Sequence, residues 1–331
     1  MNIAVLGAGA WGSALASSLS ATTHHVTLWG REAEVVADLN ATHINTQFLP
    51  EIELDPTLRY SDNLQDTLDA HSTPDDVLII ATPISGLRET AQKIAAHSTQ
   101  AAVLWLCKGV ERDTLQFPHQ VVGSILRLQT PFGVLSGPSF AQEVARGLPC
   151  ALVLASEFTQ LDLTFVQKLS SQNLRIYHST DVIGVELGGA HKNVLAIAAG
   201  ISDGLQLGMN ARAALLTRGI AEMRRFASAL GANADTISGL AGVGDLILTA
   251  TGNLSRNRTV GLQLAQGRTL DEISADLGHV AEGALCANAM LQIANAHNIK
   301  APITQGVCAI LDGVPTRTVL EQLLLREAAR E

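Results

Sequence analysis

Apolar residues in the first half of the chain fall in short, largely unbroken runs at 2–6, 26–29, 77–81, 101–107, 132–135 and 151–155. Such runs read as strands buried on both faces. Between them, helical spacing of apolar positions covers the segment ending near 20 and the stretches 87–96, 120–128 and 161–170. Strands alternating with helices predict a parallel sheet covered on both sides. The texture changes near residue 180. From there β-branched runs become scarce, and helices are predicted at 181–201, 211–230, 255–266, 270–277, 282–298 and 314–329. The expectation is an α/β domain over 1–180, followed by a second, all-α domain over 181–331.

The turn after the first strand reads Gly7-Ala8-Gly9-Ala10-Trp11-Gly12, a G-x-G-x-x-G pattern between a strand and a helix. The first glycine permits the tight turn, the second a close approach of backbone to a pyrophosphate, and the third close packing of helix on strand. A helix N-terminus there adds N–H donors and partial positive charge. The pattern makes the first domain a Rossmann-type, doubly wound dinucleotide binder. The second strand ends Leu28-Trp29-Gly30-Arg31-Glu32, without an acid at the position that usually binds the ribose 2′-hydroxyl of NAD. Arg31 suits a 2′-phosphate, so NADP(H) is favoured, with NAD(H) possible.

Size and charge narrow the class. The 331 residues exceed one typical domain, and the 22 basic and 31 acidic residues leave a net charge of −9. No broad basic surface is implied, so nucleic acid is not an expected partner. No apolar run approaches the roughly 18 residues that a membrane span needs. The opening MNIAVLGAGAW has no basic region of a secretory leader. The four cysteines, Cys107, Cys150, Cys286 and Cys308, fit no zinc spacing and read as buried small hydrophobes in a reducing compartment. No metal site and a cytoplasmic setting are expected.

Isolated charges in oily stretches carry the candidate chemistry. The segment 182–201 is almost all Gly, Ala, Leu, Ile and Val, and its charged residues are Glu186 and Lys192 beside His191. A lysine in such a helix is expected to be partly buried, with burial favouring its neutral form and suiting it to proton transfer. Gly188 and Gly189 lie one turn earlier, where a close-lying ligand or backbone would explain their helix-weakening cost. Asp245 is the lone charge of 237–251 and needs a partner if buried, with Lys192 the candidate. Ser255-Arg256-Asn257-Arg258 reads as a capped helix start able to hold a phosphate. Lys108 and Gly137-Pro138-Ser139 each follow a predicted strand, on the edge where open α/β sheets bind ligands.

These segments together resemble the bacterial NAD(P)-dependent glycerol-3-phosphate dehydrogenases, from residue 1 to beyond 310. The carrying motifs are GAGAWGSAL at 7–15, CKGVE at 107–111, SGPSFAQEVARGLP at 136–149, IGVELGGAHKNVLAIAAGISDGL at 183–205, NARAALLTRGIAEM at 210–223, GLAGVGDLILTATGNLSRNR at 239–258 and VAEG at 280–283. The resemblance implies NAD(P)H-dependent, reversible reduction of dihydroxyacetone phosphate to sn-glycerol 3-phosphate for phospholipid synthesis, by a cytosolic homodimer. It implies Lys192 as proton donor and acceptor, Asp245 as its acidic partner, and Lys108 as an electrostatic aid to the developing oxyanion. Lys108, Gly137, Ser139, Lys192, Asn193, Asp245, Thr249, Ser255, Arg256 and Asn257 match substrate positions, the phosphate falling to Arg256 and Asn257. Gly7, Gly9, Ala10, Trp11, Gly12, Arg31, Lys108, Ala141, Arg256, Val280 and Glu282 match cofactor positions. Two stretches depart from the family pattern: His191, where an apolar residue is expected, and ALCANA at 284–289. A ketopantoate-type or other hydroxyacid reductase and a non-catalytic NAD(P)H-sensing regulator are the alternatives. The phosphate-binding turn argues against the first, and the lack of a basic helix-turn-helix against the second.

Overall fold

A computed structural model of the chain describes residues 1–22, 24–97, 99–277 and 282–324. Two compact units emerge: Met1–Glu111 with Gln116–Val185, and Arg112–Leu115 with the residues from Glu186 onward.

The first unit runs β1 (Asn2–Leu6), α1 (Ala10–Ser20), β2 (His25–Trp29), α2 (Ala33–Thr42), β3 (Ile44–Asn45), β4 (Leu49–Glu53), β5 (Arg59–Ser61), α3 (Leu64–Asp69), β6 (Val77–Ile80), α4 (Ile84–Ala96), β7 (Ala102–Trp105), α5 (Pro118–Gly123), β8 (Phe132–Ser136), α6 (Ala141–Ala145), β9 (Cys150–Ala155), α7 (Leu163–Leu169) and β10 (Leu174–Ser179). Eight strands form one sheet in the order β10-β9-β8-β7-β6-β1-β2-β5, while β3 and β4 pair separately. Ile3 and Val5 are as buried as Ala4 and Leu6, which point to the opposite face. Both faces are therefore covered, and the unbroken apolar run follows from that.

The chain leaves β1 toward β2 on one side and places β6 on the other, so the strand order reverses between β1 and β6. Ligands of doubly wound sheets bind at the carboxyl ends of the strands flanking such a point. Gly7 sits there, at φ +134°, and a Cβ on it would lie 2.9 Å from the Ala81 carbonyl carbon just beyond β6.

The sheet is mixed rather than wholly parallel. β9 runs antiparallel to β8, pairing Val134 with Ala155 and Ser136 with Val153, and β10 then runs parallel to β9. The segment 137–149 that joins them holds one short helix, α6.

The second unit is helical: α8 (Val182–Gly204), α9 (Gly208–Leu230), α10 (Ala234–Ile237), a π-helical turn at Leu240–Gly244, α11 (Asp245–Thr251), α12 (Arg256–Ala265), α13 (Leu270–Leu277), α14 (Glu282–Ala296), α15 (Pro302–Leu311) and α16 (Thr316–Leu324). The boundary between the units falls within α8, after Val185. Backbone meets backbone where α8 crosses α12. A Cβ at Gly200 would lie 2.1 Å from the Arg258 carbonyl oxygen, and one at Gly261 2.1 Å from that of Ile197. That crossing sets the start of α12 beside the C-terminal half of α8. No helix among the described residues is long and apolar enough to cross a membrane.

Candidate active site

Lys192 lies on α8 and Asp245 opens α11, 53 residues later. The Lys192 ammonium donates to Asp245 Oδ1 at 2.7 Å and to Thr249 Oγ1 at 2.8 Å. The Thr249 hydroxyl donates its one proton back to the Asp245 carbonyl oxygen at 2.7 Å, so toward Lys192 it can only accept. Lys192, Asp245 and Thr249 are all less than a tenth exposed. A buried ion pair of this kind is costly to form and persists where geometry and added hydrogen bonds offset desolvation.

The glycines around this pair serve the chain's own backbone. A Cβ at Gly188 would lie 2.3 Å from the Ala241 carbonyl oxygen, and one at Gly242 2.0 Å from that of Ile237. The turn preceding Asp245 therefore rests directly on α8 one helical turn before Lys192. Of the two explanations that the sequence left open for Gly188, a close-lying backbone is the one observed.

On the other side of Lys192 in the chain, Asn193 accepts from the Asn257 amide at 2.9 Å. Gly283, in the first turn of α14, leaves room for the same amide: a Cβ there would lie 2.3 Å from Asn257 Oδ1. Ser255 caps α12, its hydroxyl accepting from the Arg258 N–H at 3.2 Å. Arg258 is tied to Asp203 at 2.7 Å, and Arg256 stands exposed at the first helical position. Glu282 begins α14, half-buried, and Val280 lies outside the described residues.

In the first unit, Lys108 follows β7 and its ammonium donates to the Gly137 carbonyl oxygen at 3.0 Å. The Ser139 hydroxyl donates to the same oxygen at 3.2 Å. Gly137 sits at φ +144°, and a Cβ on it would lie 3.0 Å from the Ala151 carbonyl oxygen, so a side chain is excluded. Three of the expected substrate residues thus meet at the carboxyl ends of β7 and β8. Ala141 opens α6, and Trp11 lies in the first turn of α1.

The glycine-rich turn fits a dinucleotide. A Cβ at Gly12 would fall 2.0 Å from the Gly7 carbonyl oxygen, so helix and turn touch. At Gly9 a Cβ would meet no described atom within 4 Å, which leaves open space on the side where a pyrophosphate is held. Gly9 is the N-cap of α1 and offers no side-chain cap, leaving N–H groups of the first turn available to phosphate oxygens. Arg31 is 79% exposed and paired with the adjacent Glu32 at 3.0 Å. An exposed pair of this kind is worth at most about 1 kcal/mol, little resistance to an incoming phosphate.

Cys107, Cys286 and Cys308 are buried as expected, and burial pushes the Cys308 thiol up to about 12, aided by the Asp312 charge. Cys150 departs from that expectation: it is only half-buried, its thiol donating to the Pro138 carbonyl oxygen at 3.3 Å.

A dinucleotide cradle brings redox chemistry, and a buried ammonium held by a carboxylate handles a proton. Together they define an NAD(P)-dependent oxidoreductase. Residues 2–162 match the model of the NAD-dependent glycerol-3-phosphate dehydrogenase N-terminus, and residues 181–321 that of its C-terminus. The chain is 54% identical over 334 residues to a glycerol-3-phosphate dehydrogenase [NAD(P)+] of Burkholderia orbicola, covering all of both proteins. It is 51% identical over 337 residues to that of Ralstonia nicotianae, covering all of this chain and 99% of the relative. A crystal structure of glycerol-3-phosphate dehydrogenase from Coxiella burnetii superposes with a TM-score of 0.91 at 39% identity, over 98% of this chain and 99% of that one. The chain belongs to the NAD-dependent glycerol-3-phosphate dehydrogenase family. Matches to this family span both units and do not favour the ketopantoate-type reductase or the regulator.

Proposed function

We propose that Lys192 is the proton donor and acceptor in the interconversion of dihydroxyacetone phosphate and sn-glycerol 3-phosphate that this family catalyses. The observation carrying this reading is the 2.7 Å contact of its buried ammonium with Asp245. When bound, the reduced dinucleotide supplies the hydride. Negative charge then develops on the carbonyl oxygen at C2, and Lys192 donates a proton to it. Asp245 and Thr249 take two of the ammonium's three protons and fix its direction. Lys108 is assigned electrostatic stabilisation of the same oxygen. Arg256 and Asn257 are assigned the phosphate, which anchors the reacting carbon through a remote group. Gly137, Ser139, Asn193 and Ser255 complete the proposed substrate contacts. Gly7, Gly9, Ala10, Trp11, Gly12, Ala141, Val280 and Glu282 complete those of the cofactor.

The family uses NAD or NADP, and we read Arg31 as tilting this chain toward NADP(H). Arg31→Ala is expected to raise the KM for NADPH about tenfold, the weight of one charge-assisted contact, and to leave that for NADH nearly unchanged. Parallel oxidation of NADPH and NADH with dihydroxyacetone phosphate, in wild type and variant, measures this. Equal effects on the two cofactors would sink the NADP(H) reading. The working form is read as a cytoplasmic homodimer supplying phospholipid synthesis, as the family resemblance implies.

A further inference from the structure

His191 stands immediately before Lys192 on α8 and is wholly buried. Its Nε2 lies 2.9 Å from Thr304 Oγ1 and 3.4 Å from Glu222 Oε1. Thr304 in turn donates its hydroxyl proton to Glu222 Oε1 at 2.6 Å. With that single proton spent on the carboxylate, Thr304 Oγ1 can only accept from the imidazole, so Nε2 carries a hydrogen.

Glu222, on α9, does more than hold this threonine. It accepts from the backbone N–H groups of Ile303 at 2.9 Å and Thr304 at 3.0 Å. These are in the first turn of α15, where Pro302 has no N–H to give and the next donors lack helical partners. Burial acts to raise the Glu222 carboxyl, but hydrogen bonding and Coulombic attraction from His191, with the hydrogen bonds from Thr304 and Ile303, outweigh it and hold it below the ordinary carboxylate range. The carboxylate is thus a fixed post joining α9 to α15. His191 ties α8 to that post, and the Phe226 ring packs edge-on against the imidazole at 4.7 Å.

We propose that His191 is a positioning residue for Lys192, acting through a buried His191–Thr304–Glu222 relay. Consecutive helical residues point about 100° apart, so the two side chains reach different neighbours. Lys192 faces Asp245 and Thr249 of α11, while His191 faces α9 and α15. Three residues before His191, Gly188 presses on the Ala241 backbone. The stretch of α8 from 188 to 192 is therefore held from both sides: by the turn that carries Asp245, and by the relay. An apolar residue at 191 would fill the same space but supply no directed bond. The helix would then have freedom to roll by a fraction of an ångström, enough to misdirect a donor that works at 2.7 Å.

The proposal rests on the reading of Lys192 as the proton donor, and its test keeps the two apart. With substrate and cofactor saturating, His191→Leu is expected to lose about tenfold to a hundredfold in kcat, the scale of a small misplacement of a reacting group. KM for dihydroxyacetone phosphate and the Kd for NADPH should stay within about twofold, because the loss falls on the chemical step. His191→Gln, which keeps an N–H donor in place of Nε2–H, should return kcat to within about threefold of wild type. Thr304→Val should lose kcat as His191→Leu does, and Thr304→Ser should restore it. This pair of near-isosteric changes decides the matter if His191→Leu does not fold. A role in packing alone would lower thermal stability without separating Gln from Leu or Ser from Val. The relay is overturned if kcat stays within about twofold of wild type in the folded Leu and Val variants, or falls equally in each pair. A Lys192→Met enzyme assayed beside them tells the readings apart. Its loss of turnover alongside undiminished His191→Leu turnover overturns the positioning role alone, and its own full turnover overturns the donor assignment beneath it.

Discussion

Replacing Lys192 with methionine is expected to lower kcat for dihydroxyacetone phosphate reduction by about 10²–10⁴-fold, the usual weight of a positioned general acid. Methionine keeps most of the length of the stem and removes the proton. NADPH binding should survive, because the glycine-rich turn at Gly7–Gly12 belongs to the other unit. Stability should fall as well. Asp245 is 1% exposed, and removing one partner of a buried pair costs about 3–5 kcal/mol until the remaining group takes up a proton. Steady-state turnover, read with a fluorescence titration of NADPH on the same folded sample, separates lost chemistry from lost fold. Near wild-type kcat would remove Lys192 from the reaction.

The second large effect is expected at Gly188, which touches no substrate in this account. Alanine there would place a methyl carbon 2.3 Å from the Ala241 carbonyl oxygen and 2.9 Å from its carbon. Both are backbone atoms of the turn leading into Asp245, and neither can swing aside as a side chain does. Overpacking a close contact costs about 1–3 kcal/mol, and here relief requires α8 and the turn to separate. The ion pair spans that same gap, so kcat should drop together with Tm. Gly123→Ala is the comparison. The nearest atom to a Cβ there is Phe132 Cζ at 3.5 Å, an ordinary contact, and Tm should hold or rise slightly. A Gly188→Ala enzyme as stable and active as wild type would contradict the packing described.

Particular elements show what pattern alone can reach. The central strands β1, β6 and β7 were legible because both their faces are buried, which makes the apolar run continuous. β10 was not, because it lies at the sheet edge and alternates buried Leu174 and Ile176 with exposed Arg175 and Tyr177. The antiparallel turn of β9 escaped notice because apolar runs carry no direction. In the second unit, α11 and the π-helical turn were hidden in a glycine-rich stretch of low helix propensity. The lone charge of Asp245 nevertheless marked the place.

The candidate site divides in the same way. Lys192 and Asp245 stood out as single charges in apolar surroundings, and they meet. Thr249 and Asn193 came through family resemblance, because a buried hydroxyl or amide leaves little trace in composition. Glu222 escaped notice because its helix, α9, carries many charges and one buried carboxylate among them has no distinguishing pattern. Its spacing of three from Gly219 and four from Phe226, both buried on the same helix, was the available sign. Charge arithmetic also takes on a sharper meaning. A chain at −9 is assigned two phosphate-bearing ligands through a few aimed groups, among them Arg31, Lys108, Lys192 and Arg256 of its 22 basic residues.

Chemical rescue tests the donor assignment most directly. Lys192→Ala is assayed by NADPH oxidation with saturating dihydroxyacetone phosphate, while methylammonium, ethylammonium and an amine too bulky for the vacated space are added in turn. The account predicts turnover that rises with the concentration of the small amines, tracks their acidity at equal size, and ignores the bulky one. Turnover of Lys192→Ala near the wild-type rate, unaffected by any amine, would contradict it.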